Sequence, residues 1–160
     1  MGARVEELSG NRLDLMRILA AAGSVKDEIE LHNLVYVGQM MGEFSTTYRF
    51  DFALNVPYSS ELSRDLQELI ESGLIIDTGS AESLFVSNHS SAILSEFPNR
   101  PLVGRLAAME RGSLLCLAKL LYQHLEENVD KNHLLDKARQ VFLLDEKCLT
   151  QAFTVLAARW

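Results

Sequence analysis

Between Pro57 and Ile76 the chain reads PYSSELSRDLQELIESGLII, and this stretch restricts the possible folds more than any other. Leu62, Leu66, Leu69 and Ile70 fall at i, i+4, i+7 and i+8, one stripe of a 3.6-residue period. Ser59 is placed to accept from the free amides of a first helical turn, and Gly73 to take the left-handed conformation that ends the helix after Ser72. The segment therefore predicts an amphipathic helix running directly into a short apolar strand. Its outward face would show Ser60, Ser63, Arg64, Gln67, Glu68 and Glu71, with Tyr58 just ahead of it.

Upstream, Leu15, Ile18, Leu19 and Ala22 predict a first helix closed by Gly23 and Ser24, behind a loose arm over residues 1–10. Asp27 then caps a second helix, with Glu28 and Glu30 in its first turn, where the helix dipole favours them. Its expected buried face is Leu31, Leu34, Val35, Gly38 and Met41. The spacing Gly38-x-x-x-Gly42 reads as close packing followed by a C-cap. Over Thr46 to Leu54 the period changes to two, Tyr48, Phe50, Phe52 and Leu54 alternating with Arg49, Asp51 and Ala53, which predicts a half-buried strand. Downstream of Gly73, the runs Leu74-Ile75-Ile76 and Leu84-Phe85-Val86 flank Asp77-Thr78-Gly79-Ser80, the pattern of a hairpin or wing.

Beyond a linker at 89–100, the remainder is helical. Leu102, Val103, Leu106 and Met109 open a segment that Gly112 interrupts or kinks. Leu114, Leu117, Ala118, Leu121 and Leu125 continue it, while Leu115, Leu120 and Tyr122 widen its apolar surface past one face and argue for a homodimer through the C-terminal helices. Leu134, Leu135, Ala138, Val141 and Phe142 form the next helix. Asp145 caps the last, with Leu144 and Leu149 as a hydrophobic staple and Phe153, Leu156 and Ala157 on its inner face. The expected architecture is mainly α with a small β component: a winged helix-turn-helix at 11–88, then a C-terminal helical bundle at 101–160.

The segments Leu31-His32-Asn33-Leu34-Val35-Tyr36 and Val56-Pro57-Tyr58-Ser59-Ser60-Glu61-Leu62, followed by Gly73-Leu74-Ile75, resemble the YwgA-like family of small bacterial and archaeal proteins. More distantly they resemble the Panacea antitoxin domain. The resemblance covers about residues 13–77 and implies a winged-helix fold in a regulatory or antitoxin-like setting. Asn33 stands where that family has a lysine and Val56 where it has a glycine, so a role tied to that lysine does not carry over.

Chemistry-bearing patterns are sparse. His32, His89, His124 and His133 show no zinc spacing, and Glu28 with His32 one turn later reads as a surface ion pair rather than a metal site. Neither GxSxG, a phosphate loop nor GxGxxG occurs, so an enzyme, a cofactor or a nucleotide site has no starting point. Cys116 and Cys148 lack CxxC spacing and read as buried, reduced thiols of a cytoplasmic chain. No apolar run reaches the roughly 18 residues of a membrane span, and no secretory signal is expected.

Charge bears on the partner. Residues 1–100 carry seven Lys or Arg against fifteen Asp or Glu, a balance of −8; residues 101–160 carry eight against seven, and together these give the chain's −7. Duplex binding draws much of its affinity from phosphate neutralisation, which a face with one arginine and several carboxylates would gain little from. The first reading is therefore a non-enzymatic module docking a protein partner. The second is a dimeric DNA-binding regulator in which Arg64 and Gln67 read bases while Arg12, Arg17 and Lys26 contact phosphate.

Overall fold

The structure is a computed structural model describing residues 5–52, 55–79, 83–87, 97, 99–141 and 145–158, with the side chains of Glu6 and Val141 left aside. Among these residues it is mainly helical, with one two-stranded antiparallel sheet. The elements are α1 (Gly10–Ala22), α2 (Glu28–Met40), α3 (Ser60–Glu71), β1 (Ile75–Asp77), β2 (Leu84–Val86), α4 (Arg100–Ala107), α5 (Arg111–Leu125), α6 (Leu134–Val141) and α7 (Glu146–Ala157). No described helix is long and apolar enough to cross a membrane.

Local chemistry sets the first half. Gly23 ends α1 at φ +83°, and the Asp27 carboxylate accepts from Glu30 N at 2.9 Å to start α2. Ser59 Oγ does the same for α3, accepting from Leu62 N at 3.2 Å, and Gly73 closes that helix at φ +80°. Leu62, Leu66 and Leu69 are buried with Ile70 at the margin, as the stripe requires. β1 and β2 pair with Ile75 opposite Val86 and Asp77 opposite Leu84. Val25, in the short link between α1 and α2, adds a single antiparallel bridge to Leu84 through bonds of 3.1 and 2.7 Å. The hairpin is thus tied back to the helices ahead of it.

Two helices are buried more completely than one apolar stripe implies. Every residue of α2 from Leu31 to Gly38 is buried, because the helix packs against α4 and α5 as well as its own half of the chain. α5 buries Leu114, Cys116, Leu117, Ala118, Leu120 and Leu121 between α2, α6 and α7. Of the side chains that had suggested a second subunit, Leu120 is fully buried within the chain while Leu115 and Tyr122 are half-buried; Leu125, placed on the inner stripe, is exposed. The break before α5 falls at Ala108–Glu110, ahead of Gly112. Gly112 itself lies under Cys148, whose Sγ would be 3.0 Å from an added Cβ. Both cysteines are buried and unbridged, and burial pushes the Cys116 thiol up to about 11, which keeps it protonated and unreactive.

Two expectations need correction. The arm before α1 is anchored: Val5 opens a 3-10 turn over Val5–Glu7 and joins the core. Thr46 to Phe52 does not enter a sheet. Its alternation is real, Thr46 and Tyr48 buried and Thr47 and Arg49 exposed, but among the described residues its only pairing is the isolated bridge between Asp51 and Tyr58. Side chains replace the missing ladder. Gln39 donates to Tyr48 O at 2.7 Å and accepts from Tyr48 N at 3.1 Å; Asn11 accepts from Thr47 N and Glu61 from Arg49 N, each at 3.0 Å. Ala53, Leu54, Phe142, Leu144 and most of the 89–100 linker lie outside the described residues.

Candidate partner-recognition face

The outward side of α3 begins with an anchor that sequence reasoning missed. His32 is buried, not the surface half of an ion pair. Its Nδ1 accepts from Ser59 N at 3.1 Å, which leaves Nε2 as the protonated nitrogen, facing Glu28 Oε1 at 3.3 Å. Ser63 Oγ donates to the same Glu28 oxygen at 2.6 Å. The Tyr58 ring stacks on the imidazole with centroids 4.9 Å apart, and Phe50 meets it edge-on at 6.3 Å. One side chain of α2 thus fixes the N-cap of α3 and the pose of Tyr58. The available signal was the apolar run Leu34 to Val37 beside Leu31, too wide for one stripe, which marks a helix buried all round.

Burial holds the His32 pKa below the ordinary imidazole value, against the opposing pull of Glu28. As pH falls, the unfolded chain takes up this proton first. The stabilising contribution is therefore complete above about pH 6.5 and is lost progressively below it, with a slope of at most about 1.4 kcal/mol per pH unit for one proton. Urea midpoints at pH 7.5 and 5.5 should fall accordingly. His32→Gln, which can still accept from Ser59 N, should flatten that dependence; an equal pH slope in the variant would refute the assignment.

Of the residues singled out from sequence, Tyr58, Ser60, Arg64, Gln67 and Glu71 are exposed on this face, while Ser63 and Glu68 are half-buried. Ser63 turns toward Glu28, and Gln67 Nε2 donates to Glu71 at 3.2 Å. Glu68 is engaged by Arg12, whose Nε also lies 3.2 Å from Asp65 Oδ1. Asp65 further accepts from the Tyr48 hydroxyl at 2.7 Å, and burial together with that bond keeps the phenol protonated. The three cations assigned to phosphate are thus not grouped as a basic track. Arg12 is tied to α3 carboxylates, Arg17 lies 3.6 Å from Asp14, and Lys26 sits among Asp27, Glu28 and Asp77. Arg64 is exposed and has no ion-pair partner among the described residues.

Two hollows flank Ser63. One of about 240 Å³ lies between the start of α2, α3 and the hairpin, lined by Lys26, Ser63, Gln67, Ile70 and Asp77. The other, about 220 Å³, is lined by Ile29, His32, Val56, Pro57, Tyr58 and Ser63. Ile29 and Tyr58 are 49% and 46% exposed, an unusual pair of large apolar groups at one opening. In the hairpin turn, Asp77 accepts from Gly79 N at 2.9 Å, with Gly79 at φ +72°; Ser80, Ala81 and Glu82 lie outside the described residues. Among the described residues no three His, Cys, Asp or Glu side chains gather where they could hold a metal ion. No family model, curated protein or solved structure matches this chain.

Proposed function

We propose that this is a non-enzymatic winged-helix interaction protein that docks a protein partner through the outer face of α3 and the Ile29–Tyr58 hollow, in a regulatory, antitoxin-like or adaptor-like role. The order α1, Val25 bridge, α2, α3, β1, β2 supports the winged-helix reading, as does the resemblance carried by Leu31 to Tyr36 and Pro57 to Leu62. The observation that carries the choice of partner is the engagement of Arg12 by Asp65 and Glu68. It uses the nearest cation internally and leaves Arg64 alone on α3 beside Glu61 and Glu71. A basic protein surface with an apolar side chain for the hollow complements that face, with Tyr58 as an anchor of the type that dominates protein interfaces.

Affinity purification from the native host should return a stoichiometric protein that is lost with Glu71→Lys, an exposed position, and with Tyr58→Ala, whose folding is checked by urea unfolding because it also removes the ring stacked on His32. Recovery of nucleic acid alone would reject the proposal. The exposed Arg64, with no ion-pair partner among the described residues, and the exposed Gln67 beside it favour one alternative, a dimeric winged-helix regulator of DNA. That reading expects retention of its own upstream DNA with steep salt dependence, abolished by Arg64→Ala. Absence of any shift at low salt would eliminate it.

A further inference from the structure

A separate cleft of about 510 Å³, sharing no lining residue with the α3 face, opens where the C-terminal ends of α2 and α5 meet the extended segment after α2. Tyr36, Phe50, Phe52, Tyr122, Met40 and Glu126 line it. The rings form one connected set: Tyr36 meets Phe50 and Phe52 edge-on at 5.2 and 5.1 Å, and Phe52 stacks on Tyr122 at 4.3 Å. The Tyr36 hydroxyl is buried and has no hydrogen-bond partner among the described residues, so Tyr36 contributes to the cleft through its ring. Burial, reinforced by Glu126 and Tyr122, keeps that phenol protonated.

The electrostatics of the cleft select one sign of ligand. Arg49 and Asp51 offset each other at its lining, which leaves Glu126 as the net charge. Met40 ends α2, and Glu126 caps α5, so the negative poles of both helices add to it. Aromatic quadrupoles attract a cation, most strongly one with a soft, weakly hydrated shell. We infer that this cleft is a binding site for a small organic cation bearing an alkylated ammonium group, seated against the half-buried rings of Phe50, Phe52 and Tyr122 with Glu126 as counter-charge.

Choline and its neutral carbon isostere, 3,3-dimethylbutan-1-ol, are suitable probes, titrated into the full chain while aromatic and backbone NMR shifts are followed. Choline should shift Tyr36, Phe50, Phe52, Tyr122 and Glu126 together at millimolar concentration, and the isostere should bind about tenfold more weakly. Glu126→Gln, an exposed change that leaves the fold intact, should weaken choline by about threefold to tenfold. Three results would each overturn the inference: no shifts up to about 50 mM, equal binding of the isostere, or unchanged affinity in Glu126→Gln.

Discussion

Gly38→Ala is expected to destabilise the protein by about 3 kcal/mol, although alanine is the better helix former by about 1 kcal/mol. Gly38 has ordinary helical geometry in the middle of α2, so backbone strain is not the cause. Its Cα is covered by the Phe44 ring, and an added Cβ would lie 2.0 to 2.4 Å from three ring atoms. That overlap cannot be relieved by tenths of an ångström. Nor can the ring easily leave, because Glu43 N and Phe44 N both donate to Gly38 O, at 3.0 and 3.1 Å, and fix the chain reversal at this point. Phe44 is buried against Phe97, with centroids 5.8 Å apart. The methyl group therefore costs the packing of a buried phenylalanine. Urea unfolding at pH 7.5 measures it; a loss below about 1 kcal/mol, within the span of helix propensity alone, would refute the packing account. Adding Phe44→Leu to Gly38→Ala should return part of the lost stability, since the smaller side chain vacates the contested space.

Leu120→Ala should cost a similar amount, about 3 kcal/mol, and the effect should be independent of protein concentration. Leu120 lies off the main apolar stripe of α5, yet it is fully buried because α2, α6 and α7 surround that helix. Its truncation removes transfer free energy and leaves a cavity that close-packed neighbours fill only in part. If Leu120 instead served a subunit contact, its loss would change assembly and leave the unfolding of a single chain nearly untouched. Light scattering and unfolding at two concentrations separate these outcomes. A concentration-dependent midpoint that disappears in the variant would instead place Leu120 in a subunit interface.

Much of the first half was legible because its signals are local. The stripe Leu62, Leu66, Leu69, the caps Asp27 and Ser59 and the stops at Gly23 and Gly73 each depend on residues within one or two turns. The Gly38–Gly42 spacing also read correctly, as a close approach under Phe44 and a C-terminal turn with Gly42 at φ +75°. The segment Thr46 to Phe52 shows where such reading stops. A period of two reports that side chains alternate between core and solvent, and they do. It carries no information on what meets the backbone, and here Gln39, Asn11 and Glu61 take the place of a neighbouring strand.

His32 marks the same boundary at the candidate site. A Glu at i and a His at i+4 look like a surface pair, and only the approach of the Val56–Ser59 segment buries the imidazole and aligns it with Ser59 N. The exposed residues of α3 followed from the opposite face being apolar, so Ser60, Arg64, Gln67 and Glu71 could be named in advance. The pairing of Arg12 with Asp65 and Glu68 could not, since those residues are more than fifty positions apart.

The amino-acid order by itself determined where the helices of the first half start and stop and which side of α3 faces out, because propensity, capping and periodicity act over a few residues. Which helices are surrounded, which cations are already spent and where aromatic rings from Tyr36, Phe52 and Tyr122 converge was decided only by tertiary packing. Those properties depend on partners distant in the chain, and no short-range pattern encodes them.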